Sequence, residues 1–271
     1  MKKENINIAD ALRDAPQGTL LYSLVSGWMS FRKILKNNKI SCYPSGASKS
    51  VLPILFNADG SLAFSEESEI NGRGECMLFP SSICRTWQML SFEKGDIVVL
   101  TYESKDGSKN EYVIVYNGLH FGPDNGVKYA ASVHINDNHR LDNRLDLNGR
   151  YSLIAIHPDE ISVSFREAKE DDKEDFIDAL RIHGYMIDRN EDGLLKKIKK
   201  LKFEPFQQVM VRDKEDDPWR PAFFSHESKN PNAKYPYGTI SGSEPILFYR
   251  YCIPYNDKTK HLFGTTLPYN E

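Results

Sequence analysis

The sequence has no apolar run approaching the roughly 18 residues of a membrane span, and its start, MKKENINIADALRD, lacks the apolar core of a secretory signal. Both absences lead us to expect a cytoplasmic protein with no membrane partner. Cysteine is sparse: Cys42, Cys76, Cys84 and Cys252 are irregularly placed, with no C-x-x-C pair and no histidine at zinc-finger spacing. They read as buried free thiols, because cysteine is among the most buried residue types. No G-x-S-x-G, G-x-G-x-x-G or Walker pattern occurs, so we expect no cofactor, no metal and no catalytic residue. Neither sign of charge prevails: 35 basic against 38 acidic residues leave a net charge of -3, which gives no global field to draw the chain onto a polyanion.

What is present is enough apolar and aromatic side chain, 40% and 11%, to bury several small cores in 271 residues. Residues 7–14 read as a short helix ended by Ala15-Pro16, since the residue before proline disfavours helix. From Gly18 the period becomes two: TLLYSLVSGWMSF, ISCYPSG, VLPILFNADGSLAFS and GECMLFPS are short strands, with Asp59-Gly60 the clearest hairpin turn. A second group opens with FEKGDIVVLTYE, pairs with EYVIVYNG and continues through VKYAASVHI and YSLIAIHPDEISVSF. The polar stretch NDNHRLDNRLDLNGR between the last two reads as an exposed loop.

The period then switches to 3.6. In EDDKEDFIDALRIHGY, Phe176, Ile177, Ala179 and Leu180 share a face, acidic residues crowd the first turn and Gly184 sits where a helix-terminating glycine belongs. LLKKIKKLK reads as either a short amphipathic helix or a strand with a linker. FEPFQQVMVRD opens a last, aromatic-rich group that echoes FEKGDIVVLTYE, a possible diverged repeat, and PWRPAFFSH and ILFYRYCIPYN follow as strands. The expected fold is mainly β (α+β): small antiparallel SH3-like or Tudor-like barrel modules with one connecting helix. Its divisions are residues 1–90, an N-terminal helix plus small β module; 91–165, a second β module; 166–202, a helical connector with a basic stretch; and 203–271, the aromatic-rich module.

Three sets of segments together resemble uncharacterised multi-module proteins of gut Bacteroidales phages, prophages and mobile elements. GTLLYSLVSGWMSF, FNADGSLAFS, GECMLFPSSICRTW and FEKGDIVVL resemble their opening, REAKEDDKEDFIDALRIHGYMIDRNEDGLLKK a recurring helical unit, and FEPFQQVMVRDKEDDPWRPAFFSH with YCIPYNDKTKHLFGT a C-terminal unit. The resemblance covers most of the chain outside residues 100–160. Lys169 departs from the family's capping Thr, and Met186-Ile187 from its Trp-bearing stretch. The family brings no activity or catalytic residues with it; it implies a phage or mobile-element setting, in the host cytoplasm.

Several clusters invite chemistry. His134 and His139 share a loop with Asp137 and Asp142, without the geometry of a metal site. Cys252, near Arg250, with His226 and His261 in the same module, is the one set resembling an activated thiol, against the plainer reading of a strand with a buried cysteine. Trp28, Trp219, Tyr235 and Tyr237 are turn-adjacent aromatics suited to a protein partner, of host or phage. Lys196, Lys197, Lys199, Lys200 and Lys202, beside the C-terminal aromatics, suit nucleic acid, although Asp213, Glu215, Asp216 and Asp217 oppose it. We therefore expect a non-enzymatic protein that binds another protein, in a structural, host-factor or counter-defence role. A nucleic-acid-binding module ranks second, and an enzyme or small-ligand binder third.

Overall fold

The computed structural model describes residues 6–47, 51–63, 74–136, 140–142, 144–155, 157, 159–198, 201–214, 216–230, 233–240 and 245–269. The chain divides into two compact units, Met1–Ile177 with Ile187–Lys196, and Asp178–Met186 with Lys197–Glu271. The fold is mainly β, and the strands of all three large sheets pair antiparallel.

After a one-turn helix α1 (Ile8–Ala11), the first sheet contains β1 (Leu20–Ser23), β2 (Gly27–Ile34), β3 (Ile40–Pro44), β4 (Ile54–Phe56), β5 (Leu62–Ala63) and β6 (Leu78–Phe79), in the order β5-β4-β3-β2-β1-β6. The second contains β7 (Ile97–Ser104), β8 (Lys109–His120), β9 (Gly126–Ile135), β10 (Asp146–Ser152) and β11 (Glu160–Glu167), in the order β10-β9-β8-β7-β11. Helix α2 (Glu170–Ile182) and the hairpin of β12 (Tyr185–Ile187) and β13 (Leu195–Lys197) follow. The third sheet contains β14 (Gln208–Arg212), β15 (Arg220–Glu227), β16 (Tyr237–Ile240), β17 (Leu247–Tyr249) and β18 (Tyr251–Pro254), in the order β17-β16-β15-β14-β18. Each large sheet is thus a meander whose final strand returns to pair with its first.

One four-residue turn opens all three. In residues 16–19, 93–96 and 204–207 the N–H of the fourth residue donates to the carbonyl of the first, at 3.1, 3.0 and 2.9 Å. The third residue, Gly18, Gly95 or Phe206, has a φ of 89°, 91° or 66°. Its N–H donates across to Phe31, Tyr116 or Phe224 on the second strand, and that residue's N–H returns to the carbonyl of the turn's fourth residue. In the later two copies the Asp96 and Gln207 side chains also accept from the N–H of Glu93 and Glu204, at 2.9 and 3.0 Å. Phe92 and Phe203 pack on Tyr116 and Phe224, at ring separations of 6.1 and 5.3 Å. The echo between FEKGDIVVLTYE and FEPFQQVMVRD is therefore a shared device. A third copy, at APQGTLLY, has Ala15 in the aromatic's place.

In the first unit one apolar cluster joins Leu21, Met29, Phe31 and Phe56 of the first sheet to Leu100, Ile114, Val163 and Phe165 of the second, with Ile8 and Leu12 from the N-terminal turn. The fully buried Asn125 ties the same two sheets. Its amide donates to the carbonyls of Leu20 and Pro80, and its oxygen accepts from the N–H of Gly122 at 3.0 Å, so burial leaves the group satisfied.

The third sheet is covered on both sides near β14, so Val209, Met210 and Val211 are all buried rather than alternating. Val209, Val211, Ala222, Phe224 and Cys252 form one cluster, and Met210, Trp219, Ile253 and Leu262 the other. Trp219 pins the segment beyond it: its indole N–H donates to Leu267 at 2.9 Å and its backbone N–H to Thr265 at 3.0 Å. Arg212 lies 4.2 Å over the indole and donates to Thr266 at 3.0 Å. Between β17 and β18, Arg250 leaves the ladder and grips the buried Asp178 of α2 with two nitrogens, Nε at 2.6 Å.

Helix α2 occupies the span where the 3.6 period predicts one, with Asp172 accepting from the Lys169 N–H at 3.3 Å and Gly184 ending it at a φ of 80°. The basic stretch begins as the strand β13, which settles the choice left open by LLKKIKKLK. The polar stretch read as a loop is corrected at its end: its last five residues, 146–150, open β10, an edge strand with a mainly exposed face.

Candidate functional site

Among the described residues, the outward side of β15, β16 and β17 carries exposed apolar side chains, Phe223, Ile246 and Phe248 among them. Phe223 pairs with Ile240, His226 with Gly238, and Gly238 with Phe248. Strand alternation sends Phe224 and Thr239 inward, to 4% and 1% exposure, and leaves Phe223 and Phe248 at 45% and 42%. A bulge between Phe224 and His226 keeps His226 outward, where plain alternation would carry it inward after Phe224. His226 then meets Phe248 edge-on at 5.5 Å.

Gly238 is the floor of this patch. A Cβ there would stand 3.0 Å from the His226 carbonyl, 3.1 Å from the Phe248 ring and 3.3 Å from Ile246. The missing side chain lets Phe248 and Ile246 lie across the backbone, joining Phe223, Ile240, Ile246 and Phe248 into one surface. Strand β17 ends the sheet order, so its outer backbone groups form an edge that an extended segment can pair with.

The four aromatics singled out in the sequence fall in different places. Trp219 is 2% exposed and belongs to the core. Tyr237 points inward, packs edge-on against Phe203 at 6.0 Å, and burial pushes its phenol up to about 12. Tyr235 is 42% exposed. Trp28 lies half-buried on the outward side of the first sheet. Lys196 and Lys197 are exposed neighbours on β13 and so face opposite sides; Lys202 is exposed, and Lys199 and Lys200 lie outside the described residues. Phe223 and Phe248 were missed, although two consecutive phenylalanines in PAFFSH must face opposite sides of a strand.

Other candidate chemistry is dispersed. His134 Nδ1 and an Asp142 carboxylate oxygen are in hydrogen-bond contact at 2.9 Å, while Asp137 and His139 lie outside the described residues. Among the described residues no three metal-binding side chains converge. Cys252 sits in the inner cluster with its thiol pushed up by burial, Arg250 is held by Asp178, and His226 lies on the outward side. The first unit has an open groove of about 390 Å³, with Leu90, Tyr116 and Phe121 along it and His120 and Lys128 among its polar groups. Among the described residues no helix is long and apolar enough to cross a membrane. Comparison of the chain with models of protein families, with curated proteins and with solved structures finds no match.

Proposed function

We propose that this chain is a non-enzymatic binding protein that docks a protein partner on the outward face of its third sheet, in the phage or mobile-element setting that the family resemblance implies. The observation that carries the reading is the continuous apolar surface of Phe223, Ile240, Ile246 and Phe248 beside a sheet edge. Exposed apolar surface is costly to maintain, and where it is contiguous it marks an interaction site. A partner strand added to β17 would gain main-chain hydrogen bonds from the edge and bury alternate side chains on the patch. The SH3-like or Tudor-like reading of the two five-stranded sheets belongs to the same proposal, supported by their common meander-and-return strand order.

The test is affinity purification from cells that encode the protein, with and without nuclease. The variants are Phe223→Ser with Phe248→Ser, and Lys196, Lys197, Lys199 and Lys200 together changed to Gln. We expect a nuclease-resistant partner that the lysine variant retains and the phenylalanine variant loses by about tenfold or more in affinity, the scale of truncating central anchors. A partner lost with the lysine variant, or released by nuclease, would transfer the reading to nucleic acid.

A further inference from the structure

The first sheet has an outward face of different chemistry. Leu21, Met29, Phe31 and Cys42 point into the core at 0–3% exposure, so the alternate residues Tyr22, Trp28, Ser30 and Tyr43 point out. The register places Tyr22 opposite Trp28 and Ser30 opposite Tyr43, so the three rings stand on three adjacent strands. Tyr22 and Trp28 meet edge-on at 5.6 Å. Alternation after Phe31 puts Arg32 on this face, with its guanidinium 5.3 Å from the Tyr43 ring, and a bulge between Phe31 and Lys33 keeps Lys33, opposite Ser41, on it as well. Arg85 lies 5.8 Å from the Tyr22 ring, and Arg32, Lys33 and Arg85 are all exposed.

The local sequence is one-sided in charge. Residues 15–58 contain no Asp or Glu, but five basic residues, Arg32, Lys33, Lys36, Lys39 and Lys49, in a chain whose overall balance is -3. This acid-free stretch supplies all of β1 to β4. The aromatics alone would suit many partners; with the guanidinium groups of Arg32 and Arg85 against two of the rings, they suit a polyanion that also carries flat rings.

We propose that the outward face of the first sheet binds single-stranded nucleic acid, with bases stacking on Tyr22, Trp28 and Tyr43 and phosphates meeting Arg32, Lys33 and Arg85. A duplex conceals its base faces, whereas an unpaired strand can lay successive bases on a sheet while cations track its backbone. Stacking tolerates any base, so the face takes single strands with little sequence preference. This site is separate from the apolar patch of the third sheet and does not depend on that reading.

The test uses labelled (dT)15 and (U)15, a 15-base-pair DNA duplex, and poly-glutamate as a polyanion without rings. Trp87 and Trp219 are 4% and 2% exposed, so quenching of tryptophan fluorescence on binding reports Trp28. We expect single strands to bind in preference to duplex, quench the fluorescence and weaken with salt. For single strands each neutralised phosphate contributes about -0.7 to the slope of log affinity against log salt, so three cations give about -2. Arg32→Gln with Arg85→Gln should weaken binding about tenfold or more and flatten that slope, with the thermal transition unchanged. Trp28→Phe should keep binding and lose the quench. Comparison of (dT)15 with (U)15 separates DNA from RNA as the natural strand. Failure of both single strands to bind at low salt, equal affinity for poly-glutamate, or binding unaffected by the arginine change would each overturn the proposal.

Discussion

Burial sorts the four cysteines into unequal sites. Cys42 and Cys84 are fully buried in the first unit and their thiols are pushed up to about 12, while desolvation also raises Cys252 in the third sheet. Cys76, half-buried with its Sγ 3.2 Å from the Leu78 carbonyl, is raised as well, first by desolvation. All four are free, and only the thiolate attacks an alkylating agent. Native protein treated with iodoacetamide at about pH 8, where an ordinary thiol reacts readily, should gain at most one adduct, at Cys76, by mass. In denaturant all four should be labelled. Only two labelled thiols in denaturant without reductant would mean a disulfide and an oxidising compartment.

At the scale of the element, the opening turns make a quantitative comparison possible inside one chain. Phe206 holds the left-handed backbone that Gly18 and Gly95 hold in the other two copies, and its side chain is 73% exposed, so it gains little by burial in return. A side-chain-bearing residue in that region costs about 1–2 kcal/mol, partly offset by the greater chain entropy glycine has when unfolded. Phe206→Gly should therefore stabilise the third sheet by about 0.5–1 kcal/mol, and Gly95→Ala should cost about 1 kcal/mol or more; denaturant melts of each variant measure both. The likeness of FEKGDIVV to FEPFQQVM was legible because aromatic, acid and apolar strand recur in order. The copy at residues 15–19 was not, because Ala15 replaces the aromatic and the turn survives only as hydrogen bonds and one φ angle. Strand β10 was hidden for a different reason: an edge strand with a wet face carries Asp146, Asn148 and Arg150, and on the other side Gly149 stands between Leu147 and Tyr151, so the apolar period is too thin to stand out from a loop. Helix α2 was legible because Phe176 and Leu180 must be buried on one side of a 3.6 period. Periodicity could separate inner from outer residues, but whether Trp28 or Trp219 faced out depended on what covered each strand, a tertiary fact.

For the molecule as a whole, sharing a core matters more than sequence spacing. The cluster that holds Leu21, Met29 and Phe31 also holds Leu100, Ile114 and Phe165, and the Asn125 side chain donates to the carbonyls of residues 20 and 80 and accepts from the N–H of residue 122. A fragment ending at Ser91 should thus remain unfolded by near-ultraviolet circular dichroism and amide dispersion, whereas one extending through Ala168 should fold. A cooperative transition in the shorter fragment would show that the first sheet has a sufficient core of its own. The return strands carry a further consequence, for the order in which the structure can assemble. The pairings of β11 with β7 and of β18 with β14 are the least local in their sheets, the slow kind, so we expect them to form after the hairpins between them. Until then Val98–Leu100 and Val209–Val211 are apolar strands with one bare edge, the form in which nascent chains pair with each other. Synthesis in cells short of chaperones should therefore yield aggregates seeded at those two strands.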